Sequence, residues 1–278
     1  MRQRFAPSPT GLLHLGHGFS ALTAWDRAQA EGGDFLLRIE DIDRTRARAE
    51  FERAIFDDLH WLGLSWPEPV LRQSDRMPAY DDAVARLADM GLCFPCRCTR
   101  ADIKAALSAP QEGQPAPTPY PGTCRKRPMR DRGPGDAVRL DMKKALQHIE
   151  GKELPSFTET GLGAPARHRI DPESLIREHG DVVLARRDIG CSYHLAVVVD
   201  DAHQGITHVT RGRDLEGATP LHVLLQALLG LPVPVYHHHR LIRDETGKRL
   251  AKRDDARALR RYREQGLGPD DIRAMLGM

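Results

Sequence analysis

His14 and His17 follow a run of Pro7, Ser8, Pro9, Thr10 and Gly11 and stand at the head of a helical pattern. Proline stiffens such a turn, glycine lets the backbone approach a ligand, and the N–H groups of a helix start attract phosphate, so the stretch reads as a nucleotide site. Taken alone, a His-x-x-His pair is as readily a hydrated helix end. A second candidate centre is made of thiols: Cys96, Cys98 and the distant Cys124 suit zinc in a proline-broken stretch too irregular to hold itself together. For the fourth ligand the residues alone leave Cys93, a nearby histidine such as His168, or water, with Cys93 the first choice. Glu40 follows the apolar run Phe35–Ile39, where open α/β sheets place ligand-binding groups. Arg211 closes another apolar run beside Gly212, where pairing with Asp200 or Asp214 is the plain reading.

These groups need elements to hold them. Phe19, Leu22 and Trp25 recur at helical spacing, and Gly32-Gly33 makes a stop. Phe51, Ile55, Leu59 and Leu62, then Tyr80, Val84 and Leu87, predict a pair of amphipathic helices between about residues 47 and 92, with Trp61 and Trp66 as packing. Prolines from Pro110 to Pro134 break any long element there, which marks an insertion. The apolar runs Asp181–Ala185, Tyr193–Asp201 and Ile206–Gly212 predict strands of a parallel sheet buried on both faces, with Tyr193 opening the second. Adjacent strand residues point to opposite faces, so His237, His238 and His239 do not converge on one ion and are expected to be structural. Cys191 reads as a core thiol.

The expected fold is α/β: a Rossmann-like parallel-sheet catalytic domain in two halves, 1–90 and 179–238, around a zinc-containing inserted module at 91–178. A loop and a small C-terminal helical segment follow at 239–278. The chain has 278 residues, 29% of them charged, with a net charge of only +2, which excludes a molecule basic all over. Basic charge gathers instead between Arg240 and Arg263, where ten Lys or Arg stand against four Asp or Glu. Such a run is usually a solvated helix face. Five cysteines, three of them between Cys93 and Cys98, fit ligands or free thiols better than disulfides and point to a reducing compartment. No secretory pattern opens the chain and no apolar stretch approaches the ~20 residues of a membrane span, so a cytoplasmic protein that needs no membrane is expected.

Several of these stretches carry a family resemblance. Pro7 to His17 resembles the HIGH signature of class I aminoacyl-tRNA synthetases in its glutamyl form, with Leu15 in place of isoleucine. Arg38 to Arg46 resembles the RIEDTD signature, with Ile42 for threonine. Gly247 to Arg253 resembles the KMSKS loop in the KLSKR form, with Arg249 for the first lysine and Ala251 for the serine. Pro95-Cys96-Arg97-Cys98-Thr99-Arg100 and Tyr120-Pro121-Gly122-Thr123-Cys124 resemble the zinc module of the short glutamyl-queuosine tRNA(Asp) synthetases, whose fourth ligand is the tyrosine. Val197 stands where the longer glutamyl enzymes carry asparagine and the short group carries valine, which implies a rearranged glutamate pocket.

The resemblance implies an enzyme using ATP with Mg²⁺, with His14, His17 and Lys252 catalytic and Pro7, Gly11, Gly16 and Arg249 joining them around the nucleotide. Glutamate would be held by Arg4, Phe5, Ala6, Pro7, Ser8, Glu40, Tyr193 and Arg211, and Zn²⁺ by Cys96, Cys98, Tyr120 and Cys124. L-Glutamate and queuosine-bearing tRNA(Asp) are the implied partners of a monomer. Full-length glutamyl-tRNA synthetases continue into an anticodon-binding region beyond the point matching Met278, so this chain is expected to lack their usual means of identifying tRNA(Glu). A shortened tRNA(Glu)-charging enzyme is the alternative, and a non-catalytic sensor a third reading, against which both histidines and Lys252 weigh.

Overall fold

The structure is a computed structural model that describes residues 1–98, 120–186, 190–242 and 258–278. β1 (Arg2–Phe5) leads through a proline-rich turn into α1 (Leu15–Ala30), which carries the chain back to β2 (Asp34–Ile39), parallel to β1. α1 buries Phe19 and Leu22 and half-buries Trp25. It stops where Gly32 takes a φ of 57°, a left-handed turn that favours glycine. α2 (Ala49–Trp61) buries Ile55 and Leu59. After β3 (Leu71–Arg72), parallel to β2, α3 (Met77–Asp89) buries Tyr80, Val84 and Leu87, so the expected helix pair is present. Trp61 and Trp66 pack half-buried against the core around α1 and α2.

β4 (Cys93–Cys96), β5 (Ala137–Leu140), α4 (Met142–His148) and the antiparallel hairpin β6 (Ser156–Glu159) and β7 (Ala166–Arg169) follow. β8 (Val183–Arg186) and β9 (Gly190–Cys191) complete an antiparallel sheet in the order β4-β5-β8-β9. The strand expected at Asp181–Ala185 therefore exists but pairs antiparallel with β5, apart from the parallel sheet. A continuous apolar run reports burial on both faces and is silent on strand direction.

α5 (Tyr193–His203) corrects a second expectation, because the Tyr193–Asp201 run is a helix and not a strand. The Ser192 side chain caps it by accepting the Leu195 N–H at 3.4 Å. The helix is buried nearly all round, and in such a place a run of valines fits a helix as well as a strand. β10 (His208–Gly212), α6 (Thr219–Leu229) and β11 (Val235–His239) return to parallel pairing, and β6 extends that sheet beyond β11. Strands within the stretch expected as the inserted module thus join the sheet of β10 and β11.

β10 lies beside β1, with the Thr207 N–H donating to the Arg2 carbonyl at 3.1 Å and the Thr210 hydroxyl to Gln3 at 2.8 Å. Strand order grows from β1 to β2 in one direction and from β10 to β11 in the other, so a crevice is expected at the carboxyl ends between β1 and β10. α7 (Leu259–Glu264) and α8 (Pro269–Leu276) close the chain against α1, where Arg273 grips Asp26 through two bonds of 2.7 and 2.8 Å. Among the described residues no helix is long and apolar enough to cross a membrane.

Candidate active site

A cavity of about 340 Å³ opens at that crevice, a size within the roughly 300–1,000 Å³ usual for small-molecule sites. Strand ends supply Arg4, Phe5, Glu40, Arg211 and His239; the first turn supplies Ala6, Pro7 and Ser8; α1 and its cap supply His14, Gly16 and His17; α5 supplies Tyr193. All the residues expected around glutamate therefore lie on one wall system. Gly11 does not line the cavity. Val197 does not either: it lies on α5, the helix that carries Tyr193, and is buried in the core. Arg249 and Lys252 lie outside the described residues.

His14 and His17 cap α1. The His14 Nδ1 accepts the Gly16 N–H at 3.1 Å, and the His14 N–H donates to His17 Nδ1 at 3.2 Å, so the rings sit 3.8 Å apart at the helix start. A β-carbon on Gly16 would lie 3.0 Å from the His14 ring, tight enough that the ring would have to shift by a few tenths of an ångström. The two histidines are helix-end groups and cavity groups at once.

Charged residues of the cavity wall and just beneath it form a network that the sequence did not announce. Asp201 accepts from Arg4 Nε at 3.0 Å and from Arg38 Nη1 at 2.7 Å, and Arg38 Nη2 reaches Glu40 at 3.1 Å. Burial would raise the Asp201 carboxyl, but Arg4 and Arg38 hold it below the usual range. Burial keeps Glu40 above it despite both arginines. Asp200, on the same helix, is buried and accepts from Gln73, Arg76 and Tyr80 at 2.7–2.9 Å, which locks α5 against α3.

Arg211 is buried among neutral acceptors: it reaches His238 Nε2 at 3.1 Å, His222 Nδ1 at 3.2 Å and Thr219 Oγ1 at 2.7 Å. Burial, then the charge of Arg211, pushes His222 well down and His238 down to about 4, so both rings are neutral near pH 7. None of the described carboxylates pairs with Arg211. Arg4, Arg38 and Arg211 thus stand against Asp201 and Glu40, an excess of positive charge suited to an anionic ligand with one ammonium group. Burial raises the Tyr193 phenol, which stays a neutral partner. His238 and His239 were expected to be structural, yet the first holds Arg211 and the second lines the cavity. The parallel register of β10 and β11 pairs Arg211 with His238, a signal available only once the strands are aligned.

Away from the cavity, the sulfurs of Cys96, Cys98 and Cys124 lie within 4.8 Å of one another. The Tyr120 hydroxyl sits 3.4 Å from Cys96 Sγ and 3.2 Å from Cys98 Sγ. Two sulfurs bound tetrahedrally at about 2.3 Å from zinc would be roughly 3.8 Å apart, and Cys98 and Cys124 are 3.9 Å apart. Arg139 donates to Cys96 Sγ at 3.2 Å and covers the Tyr120 ring at 3.9 Å, placing a cation against a donor set that is anionic when it holds a metal. The group is compatible with zinc. Cys93, the first choice from the residues alone, lies three positions before Cys96 on β4 and turns into the main core, where burial, then Asp141, pushes its thiol up to about 12. His168 lies on exposed β7, stacked on Phe157.

Comparison with known proteins gives the family of the chain. The family model for the catalytic domain of class I tRNA synthetases for glutamate and glutamine matches residues 1–277. A Rhodobacter capsulatus protein named glutamyl-Q tRNA(Asp) synthetase is 57% identical over 284 aligned residues that cover both chains in full. Among solved structures, glutamate-tRNA synthetase from Elizabethkingia anophelis superposes with a TM-score of 0.74 at 27% identity. It covers all of this chain, which spans 61% of that one. A glutamate tRNA ligase from Elizabethkingia meningosepticum, solved in complex with its amino acid, gives 0.67 at 29% identity over 92% of this chain and 52% of its own. The chain therefore belongs to the glutamate and glutamine family of class I tRNA synthetase catalytic domains.

Proposed function

We propose that this protein activates L-glutamate with ATP and transfers the glutamyl group to the queuosine base in the anticodon of tRNA(Asp), working as a cytoplasmic monomer. The observation that carries the reading is the full-length 57% identity to a protein named for that reaction, together with a cavity whose charges suit glutamate. Glutamate has two carboxylates and one ammonium. Arg4 and Arg211 serve the carboxylates, Glu40 the ammonium, and Tyr193 and Ser8 complete the wall with Phe5, Ala6 and Pro7.

Joining a carboxylate to the α-phosphorus of ATP brings two anions together and expels pyrophosphate, so the protein contributes position and positive charge. His14, Gly16 and His17 at the α1 start hold the nucleotide, and Lys252 and Arg249 are assigned the role of offsetting the charge on its phosphates. The described chain leaves the cavity wall at Ile242 and resumes at Ala258, which pairs with the cavity residue His14. Mg²⁺ bound to the ATP phosphates would offset part of their charge, and would need no dedicated protein cage.

The test is exchange of labelled pyrophosphate into ATP. The protein should catalyse it with glutamate and without tRNA, and Lys252→Ala should lower kcat by about a hundredfold to a thousandfold. Exchange that ignores glutamate would remove the reading.

Zinc is assigned a structural role, held by Cys96, Cys98, Cys124 and Tyr120. Metal analysis should find one zinc per chain in the native protein and in Cys93→Ser, and a loss of at least tenfold in zinc affinity in Tyr120→Phe. The reverse pattern would make Cys93 the ligand.

A further inference from the structure

Glu159 and His238 lie beneath the cavity on neighbouring strands, and neither lines it. The Glu159 Oε1 accepts the Gly161 N–H at 2.6 Å and the His238 N–H at 3.1 Å, while Oε2 makes a short bond to His238 Nδ1. Gly161 comes so close that a β-carbon there would lie 2.5 Å from the His238 carbonyl. On its other edge, His238 Nε2 meets Arg211 Nε at 3.1 Å and Thr219 Oγ1 at 3.1 Å. Arg211 can only donate, so Nε2 carries no proton and the ring's single N–H is on Nδ1, facing the carboxylate. Thr219 accepts from Arg211 Nη2, and its hydroxyl, 3.1 Å from Nε2, shares that nitrogen's single lone pair with the Arg211 Nε–H. Burial raises Glu159, but its two backbone donors and His238 outweigh it and keep the carboxyl below its ordinary range.

We propose that Glu159 and His238 are positioning residues for the substrate carboxylate: Glu159 fixes the His238 tautomer, and His238 in that form aims the Arg211 guanidinium into the cavity. A guanidinium has five N–H groups. Three are taken by His238, His222 and Thr219, leaving one on each terminal nitrogen for a carboxylate. All three acceptors are uncharged, so the full positive charge remains for the ligand. Had a carboxylate contacted Arg211 directly, it would have oriented the group and cancelled its charge; an imidazole interposed between them orients it and leaves the charge in place. This inference rests on the reading of the cavity as a glutamate-activating site, although the tautomer itself does not.

Glu159→Gln places an amide NH₂ either against two backbone donors or against the His238 N–H, so the network must break whichever way the amide turns. His238→Asn keeps a partner for Glu159 but loses the acceptor for Arg211. His238→Gln is long enough to present an oxygen where Nε2 was. In pyrophosphate exchange, Glu159→Gln and His238→Asn should raise the glutamate KM about tenfold to a hundredfold, the loss expected for a misdirected charge-assisted hydrogen bond, with the ATP KM little changed. His238→Gln should recover most of the glutamate affinity. Equal rises in the glutamate and ATP KM values, or an unchanged glutamate KM in both variants, would overturn the inference. Nitrogen NMR of the imidazole reads the tautomer without substrate. It should report Nδ1–H in the native protein, and an Nε2–H form would overturn the inference even if no amino acid were activated; failure of native exchange with Nδ1–H present would instead fault the assigned reaction.

Discussion

Arg211→Met should lower kcat/KM for glutamate activation by between thirtyfold and several thousandfold, roughly the 2–5 kcal/mol lost when a buried, hydrogen-bonded charge pair is truncated. The guanidinium is buried and its three protein partners are neutral, so under the proposed function its charge is left for the substrate carboxylate. Removing it strands the acceptors of His238, His222 and Thr219 as well as the substrate carboxylate. Arg211→Lys should do nearly as badly, because one ammonium cannot reach three acceptors set around a planar fork and still meet a carboxylate. Kinetics with glutamate and ATP varied separately check this: the defect should fall on glutamate. A lysine variant with near-native glutamate KM would show that charge alone suffices and that the fork is unimportant.

What the sequence disclosed follows a physical line. The first turn was legible because proline, glycine and a capped helix start act locally, within about a dozen residues. Glu40 was legible as the residue after an apolar strand. The three thiols were legible from their type, and they do converge, but Tyr120 was reached only through resemblance, since a tyrosine between prolines has no spacing rule of its own.

Long-range pairing was not legible. Asp201 gathers Arg4 and Arg38 across 197 and 163 positions, and Glu159 meets His238 across 79, distances at which no periodicity connects one residue to another. The Tyr193–Asp201 run misled because total burial erases the alternation that separates strand from helix. With that run helical, Asp200 and Asp201 fall on adjacent faces of α5, one locking α3 and the other holding the cavity arginines. A strand would have turned them to opposite sides of a sheet.

The central claim concerns the acceptor, and here the expected difference is all or none. Under the proposed function the basic residues between Arg240 and Arg263 would meet RNA phosphates, and Arg260, Arg261 and Arg263 on α7 are the part of that run after Ala258. If they meet the anticodon arm, added salt should weaken glutamyl transfer far more than pyrophosphate exchange, since each released counterion steepens the dependence of RNA binding on salt. The direct measurement incubates the protein with labelled glutamate, ATP and tRNA taken either from cells that make queuosine or from cells that cannot. Label should enter only the queuosine-containing sample, and there only tRNA(Asp); equal labelling of both samples, or label confined to tRNA(Glu), would contradict the assignment.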